Sequence, residues 1–155
     1  MGIFSFIKDA GEKLFGSHEE TPEKSIEELN YEKAKKLMEY INAQGLPVKD
    51  LNIVIVEDKA LVFGETEDQA TKEKIILVVG NTEGIAQVDD RLEVVNPEPE
   101  ATFYTVKKGD YLSKIAKEVY GDASKYNIIF EANKPMLKDP DLIYPGQVLR
   151  IPPLK

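Results

Sequence analysis

LNIVIVEDKALVFGE, residues 51–65, is the stretch whose reading decides the fold. LNIVIV is dense in β-branched residues, whose stiff side chains suit a pleated strand and crowd a helix. Asp58-Lys59 interrupts the apolar run before ALVFGE resumes it, so Leu51 to Gly64 is predicted to fold as a β-hairpin.

Upstream of the hairpin, Ser25 is suited to an N-cap and Glu28 follows three positions on, as in a capping box. Ala34, Leu37, Met38 and Ile41 then recur at helical spacing until Gly45 and Pro47 stop the pattern. Downstream, a second helix is predicted from about Glu67 through KEKIILVVG to Gly80-Asn81. After a turn at Glu83-Gly84, Ala86, Val88, Leu92 and Val94 alternate with polar residues as a third strand. Residues 25–95 therefore form one unit in the order helix, strand, strand, helix, strand. NPEPEA, residues 96–101, has two prolines, two glutamates and no apolar pattern, and is assigned as a linker.

Residues 102–155 form a second unit. FYTVKKGDYLSKIAKEVYG supplies a short strand, a turn at Gly109-Asp110 and a helix with Leu112, Ile115, Ala116 and Val119 on one face. A further helix is predicted over about Ala123 to Ala132, and VLRIP closes as a strand. The fold class is α+β, in two small domains.

Residues 1–24 form an N-terminal segment and linker. At helical spacing Ile3, Phe6, Ile7, Ala10 and Leu14 share a face, with Phe4 and Phe15 at its edge, which predicts an amphipathic helix interrupted at Gly11. GSHEETPEK, residues 16–24, completes the linker. The apolar start does not suit a secretory leader, because Ser5 breaks it and Lys8-Asp9 ends it. Nor does it match N-myristoylation, since Phe6 stands where a hydroxyl residue is required.

Composition narrows the function. With 28 acidic and 20 basic residues the net charge is −8, which disfavours nucleic acid and anionic lipid as main partners. No run approaches the roughly 20 apolar residues that span a bilayer, so no stable membrane insertion is expected. There is no cysteine, and His18 is the only histidine, which excludes thiolate sites, disulfides, a histidine-based triad and a histidine zinc site. No phosphate-binding glycine loop is present. Asp89-Asp90 and Asp139-Pro140-Asp141 are the carboxylate pairs, but neighbouring residues on a strand point to opposite faces, and both pairs are expected at the solvated surface. No enzyme is expected.

Tyr104-Thr-Val106, Gly109-Asp110, Leu112, Ile115-Ala116, Asn133, Ile143, Pro145-Gly146-Gln147, Leu149 and Ile151-Pro152 give the last fifty or so residues a resemblance to the LysM domain. The resemblance implies an N-acetylglucosamine-glycan groove between two loops, here with Gly109, Asp110, Tyr111, Leu112, Ile143 and Tyr144 as its residues. Tyr111 departs from the family pattern, which has Thr or Ser there. The same residues also suit purely structural duty, with Gly109 in the turn, Asp110 as a helix cap, and Leu112 and Ile115 in the core.

Residues 25–95 resemble a BON domain in element order and in Gly64, Gly80 and Gly84. The combination is more specific than either half. An apolar N-terminal segment with KDAGEKL, a BON domain with VVGNTEGIAQVDD, and a LysM domain with VYG, EANKPMLK and IYPGQVLRIP resemble the family of small cytoplasmic bacterial potassium-binding proteins. That resemblance implies a monomeric, cytoplasmic, non-enzymatic K+ sensor with a place in stress response. Its conformation would change on binding, and Rb+ or Cs+ could substitute for K+. A glycan or protein partner at the LysM groove is the alternative.

K+ is large and weakly polarising, and is best held by neutral oxygens, above all backbone carbonyls. Helix C-termini supply unpaired carbonyls together with the negative end of the helix dipole. The turn before Gly11 and the helix end at Gly80-Asn81-Thr82 are two such places. The resemblance implies the carbonyls of Ile7, Lys8 and Ala10 from the first and of Gly80, Thr82 and Ile85 from the second. By themselves, Gly11 and Gly80 serve equally well as ordinary helix caps.

Overall fold

A computed structural model describes residues 3–11 and 26–154 of the chain. Its elements are β1 (Ile3–Ser5), α1 (Ile26–Ala43), β2 (Lys49–Val56), β3 (Lys59–Asp68), α2 (Gln69–Gly80), β4 (Gln87–Asn96), β5 (Thr102–Thr105), α3 (Leu112–Tyr120), a 3-10 turn (Ala123–Lys125), α4 (Tyr126–Ala132) and β6 (Val148–Ile151). Ser25, expected to cap α1, lies outside the described residues, as do Leu14, Phe15 and His18.

The expected hairpin is β2–β3, joined at Glu57-Asp58, with Glu57 in the left-handed region at φ 57°. β4 lies parallel to β3, which requires a crossover, and α2 provides it. The four-stranded sheet runs in the order β1-β4-β3-β2. Ala34, Leu37 and Ile41 of α1 bury against Ile53, Ile55, Ala60, Val62, Val88 and Leu92 of the sheet.

The described residues of the N-terminal segment, 3–11, open as a strand and not as the expected helix. Ile3, Phe4 and Ser5 pair with Asp89, Val88 and Gln87 of β4, and the Phe6 amide continues the ladder by donating to the Ala86 carbonyl at 2.8 Å. Residues 8–10 then form a turn. A strand places Phe4 and Phe6 on one face and Ile3, Ser5 and Ile7 on the other. Phe6 is buried, Phe4 half-buried, and Ile3, Ser5 and Ile7 exposed, so period 2 accounts for the burial where period 3.6 does not. The Phe6 ring lies over Gly80, where any side chain would collide with it.

Helix α2 is buried on nearly every side from Ile75 to Gly80. A helix that is apolar all round needs cover on both faces. The sheet covers one, and β6 of the second unit covers another, with Val148 belonging to the same core as α2. Across this junction the Arg150 Nε donates to Glu73 Oε1 at 2.6 Å, the Ala101 amide donates to Glu73 Oε2 at 3.0 Å, and the Phe4 and Phe103 rings stand 5.1 Å apart.

The second unit pairs β5 with β6 antiparallel and packs Leu112, Ile115, Ala116, Ile129, Leu149 and Ile151 into its own core. Val119, expected on the buried face of α3, is instead 37% exposed.

Candidate cation site at the end of helix α2

Three contacts bring the N-terminal turn onto the end of α2. The Phe6 ring seats on Gly80. The Gly84 amide donates to the Lys8 carbonyl at 2.7 Å. Gly11 abuts the Asn81-Thr82 peptide so closely that a methyl group would overlap the Asn81 carbonyl. Gly84, at φ 98°, gives the loop its left-handed bend. Gly11 therefore serves close approach of two backbones and not the helix cap expected of it.

The carbonyls of Ile7, Lys8 and Thr82 each accept one amide hydrogen bond, from Ala10 at 3.2 Å, Gly84 at 2.7 Å and Ile85 at 3.1 Å. Each retains a second lone pair. No backbone amide among the described residues donates to the carbonyls of Ala10, Gly80 or Ile85. Gly80, Thr82 and Ile85 are buried, Ala10 is half-buried, and Ile7 and Lys8 are exposed. Buried carbonyls normally find a donor, so underused oxygens at a helix C-terminus suit a cation that presents no N–H. The Thr82 hydroxyl donates its proton to the Val78 carbonyl at 2.9 Å, so its own oxygen can act only as an acceptor, as its carbonyl does.

The second unit completes the surroundings. Gly146, at φ 90°, faces the Ala10 methyl and Ile7, with no room for a side chain of its own. The Asn81 side chain, 4% exposed, donates to the Val148 carbonyl at 2.8 Å and accepts from the Val148 amide at 2.8 Å. The sequence reading placed Asn81 at the helix end but missed the role of its side chain. Its signal was a polar residue directly after IILVVG, at a helix end with no charge beside it.

The expected groove residues have mixed fates. Gly109 sits at φ 88° with open space around it, and Tyr111 is exposed. Leu112 is buried in the second core, against which Ile143 packs, while Tyr144 is half-buried. Asp110 does not cap α3. Tyr111 occupies the N-cap position without a side-chain hydrogen bond, while Asp110 accepts from the Tyr104 hydroxyl at 2.7 Å and the Lys107 amide at 2.9 Å. Burial opposes its charge, but the Lys107 amide, Tyr104 and Lys114 outweigh that and hold its carboxyl below the ordinary range. Burial, reinforced by Asp110, pushes the Tyr104 phenol up.

Asp89 and Asp90, expected at the solvated surface, are 6% and 2% exposed. They do diverge. Asp90 meets Lys72 of α2 at 3.0 Å, whereas Asp89 accepts from Arg91 Nε at 2.9 Å on the opposite face. Ion pairing along the strand and to the helix makes their burial tolerable. Asp139 and Asp141 are exposed in a turn closed by the Asp141 amide on the Asp139 carboxylate. Among the described residues no group of three or more acidic, histidine or cysteine side chains could hold a metal ion, and no helix is long and apolar enough to cross a membrane.

Family models agree with this architecture: a BON domain matches residues 33–96 and a LysM domain matches residues 104–152. The chain is 53% identical to the protein named Potassium binding protein Kbp of Escherichia coli O6:H1 (strain CFT073), over 98% of this chain and 99% of that one. Shorter matches cover about a third of this chain. An uncharacterised Deinococcus radiodurans protein is 57% identical over 33% of this chain and 19% of its own length. A Mycobacterium tuberculosis protein named as an esterase is 49% identical over 34% of this chain and 11% of its own. So short a match to the esterase-named protein shows a shared segment and nothing of its activity. Sheet order, paired domains and near-complete coverage converge: the chain belongs to the family of the potassium binding protein Kbp, a BON domain followed by a LysM domain.

Proposed function

We propose that the protein is a non-enzymatic, cytoplasmic potassium-binding sensor whose ion is held by the backbone carbonyls of Ile7, Lys8, Ala10, Gly80, Thr82 and Ile85. The observation that carries this reading is that no backbone amide among the described residues donates to the carbonyls of Ala10, Gly80 or Ile85, which belong to two segments in contact where the N-terminal turn seats on the end of α2. The near full-length likeness to a protein named for potassium binding supports the choice of ion.

Carbonyl dipoles and the end of the α2 dipole offer partial negative charge without a formal carboxylate. Such a site suits a monovalent ion better than Mg2+ or Ca2+, which favour carboxylates and water. Rb+ and Cs+, close to K+ in size and charge, would serve as substitutes. Occupancy would pin the N-terminal turn to the BON domain and, through Gly146 and Val148, draw the LysM domain against it. That is the basis for compaction of the monomer on binding.

Thermal unfolding in KCl against matched NaCl tests the reading. The melting temperature should rise with KCl specifically, and deletion of residues 2–11 should remove that rise. Equal shifts in the two salts, or a potassium-specific shift that survives the deletion, would contradict it.

A second reading is favoured by the LysM match and the exposed Tyr111 at the groove: an adaptor for N-acetylglucosamine-containing glycans. Retention on purified peptidoglycan, lost on Tyr111→Ala, would support it. Flow-through of the intact protein would count against it.

A further inference from the structure

We infer, resting on the cation reading above, that Asn81 is a positioning residue that couples the ion site to the second domain by clasping the open edge of strand β6. β5 occupies one edge of β6, so on the other edge alternate residues present both N–H and C=O outward. Two asparagines cover those positions in the same way. Asn133, from within the LysM domain, accepts from the Arg150 amide at 2.7 Å and donates to the Arg150 carbonyl at 2.9 Å. Asn81, from the BON domain, does the same for Val148, with both bonds at 2.8 Å.

The two clasps differ in what stands behind them. Asn133 ties β6 to the end of α4 in its own domain, where its side chain also donates to Ile129 at 2.7 Å. Asn81 ties β6 to a backbone turn shared with the ion site, since its neighbours Gly80 and Thr82 supply two of the proposed ligands. Its own carbonyl presses on Gly11. A cation that fixes the Gly80–Thr82 carbonyls fixes the orientation of the Asn81 backbone, and with it the side chain that pairs Val148. Released from Asn81, Val148 would leave an amide and a carbonyl unpaired at a sheet edge, so undocking is opposed. By reciprocity of linkage, docking of Val148 must tighten the ion to the same degree that the ion tightens docking.

Hydrogen exchange of individual amides in the intact chain tests this, because the Val148 and Arg150 amides are matched probes on one strand. Adding KCl should slow exchange at Val148 by about tenfold or more, matched NaCl should not, and Arg150 should change little. Asn81→Ala should remove the Val148 effect and weaken potassium binding by a comparable factor. Equal slowing at Val148 and Arg150, or no change at Val148 while KCl still raises the melting temperature specifically, would overturn the inference and leave the ion site standing. Absence of any potassium-specific thermal shift would overturn the ion site and this inference with it. The exchange comparison uses the unmodified protein, so it decides the matter even if Asn81→Ala does not fold.

Discussion

Gly11 and Gly109 are both glycines in turns, yet different physics requires each. Gly109 is held at φ 88° in open space, so an alanine there meets only backbone strain, about 1–2 kcal/mol. Gly11 has an ordinary φ but no room, because the Asn81 carbonyl occupies the place of a side chain. Gly109→Ala should therefore lower the melting temperature equally in KCl and NaCl. Gly11→Ala should lose the potassium-specific increment, because the N-terminal turn can no longer seat on α2. Thermal denaturation of both variants in matched salts separates the two effects.

Asp68 supplies a pH-dependent counterpart. As N-cap of α2 it accepts from the Thr71 amide at 2.7 Å, and hydrogen bonds from the Thr71 side chain and backbone hold its carboxyl below the ordinary 3.8. Its folded pKa lies below the unfolded one, so its stabilisation is complete above the unfolded value and fades as pH falls through the folded one. Asp68→Ala should cost about 1 kcal/mol at neutral pH. Denaturant midpoints of mutant and parent should begin to approach each other as pH falls below about 4, and meet only below the depressed folded value.

At the scale of elements, α2 organises the molecule. It crosses between the parallel strands, buries one side on the sheet and takes β6 on another, and its C-terminal end borders the proposed ion site. The buried Glu73–Arg150 pair holds it to the LysM domain at 2.6 Å. Removing one member leaves a buried, unpaired charge, which costs about 3–5 kcal/mol. Glu73→Ala should thus destabilise far more than a surface substitution, and Glu73→Leu with Arg150→Met should recover part of that loss in chemical denaturation.

The hairpin, both BON helices and the β5 to β6 order were legible because each carries its own period and stop signals. β1 was not, since Ile3, Phe4, Phe6 and Ile7 fit a helical face as well as a strand, and only the free edge of β4 decides between them. The burial of Asp89 and Asp90 was hidden for a similar reason: Lys72 and Arg91 meet them only once the chain has folded. IILVVG carried a legible hint of the domain junction, because so apolar a helix end needs cover on more than one side. Side-chain patterns say nothing of backbone carbonyls, so the proposed ligands came from family resemblance. The structure adds the juxtaposition of their two segments.

At the scale of the whole molecule, three segments remote in sequence meet at one place: the turn before Gly11, the end of α2 and the loop before β6. An ion bound only by that arrangement stabilises the folded state by mass action, about 2.7 kcal/mol when its concentration is a hundred times Kd. The increment should grow logarithmically with KCl, and X-ray scattering should show a smaller radius of gyration in KCl than in NaCl. Because the junction includes Gly146 and Val148, deleting residues 102–155 should weaken potassium binding even though no proposed ligand is removed. Calorimetric titration of the shortened chain checks this.

Carbonyl carbon shifts are the most direct probe of a backbone ion site. In a 13C-labelled sample titrated with KCl against NaCl, the largest potassium-specific changes should fall on the carbonyls of Ile7, Lys8, Ala10, Gly80, Thr82 and Ile85. Changes concentrated elsewhere, or identical responses to both salts, would contradict the account.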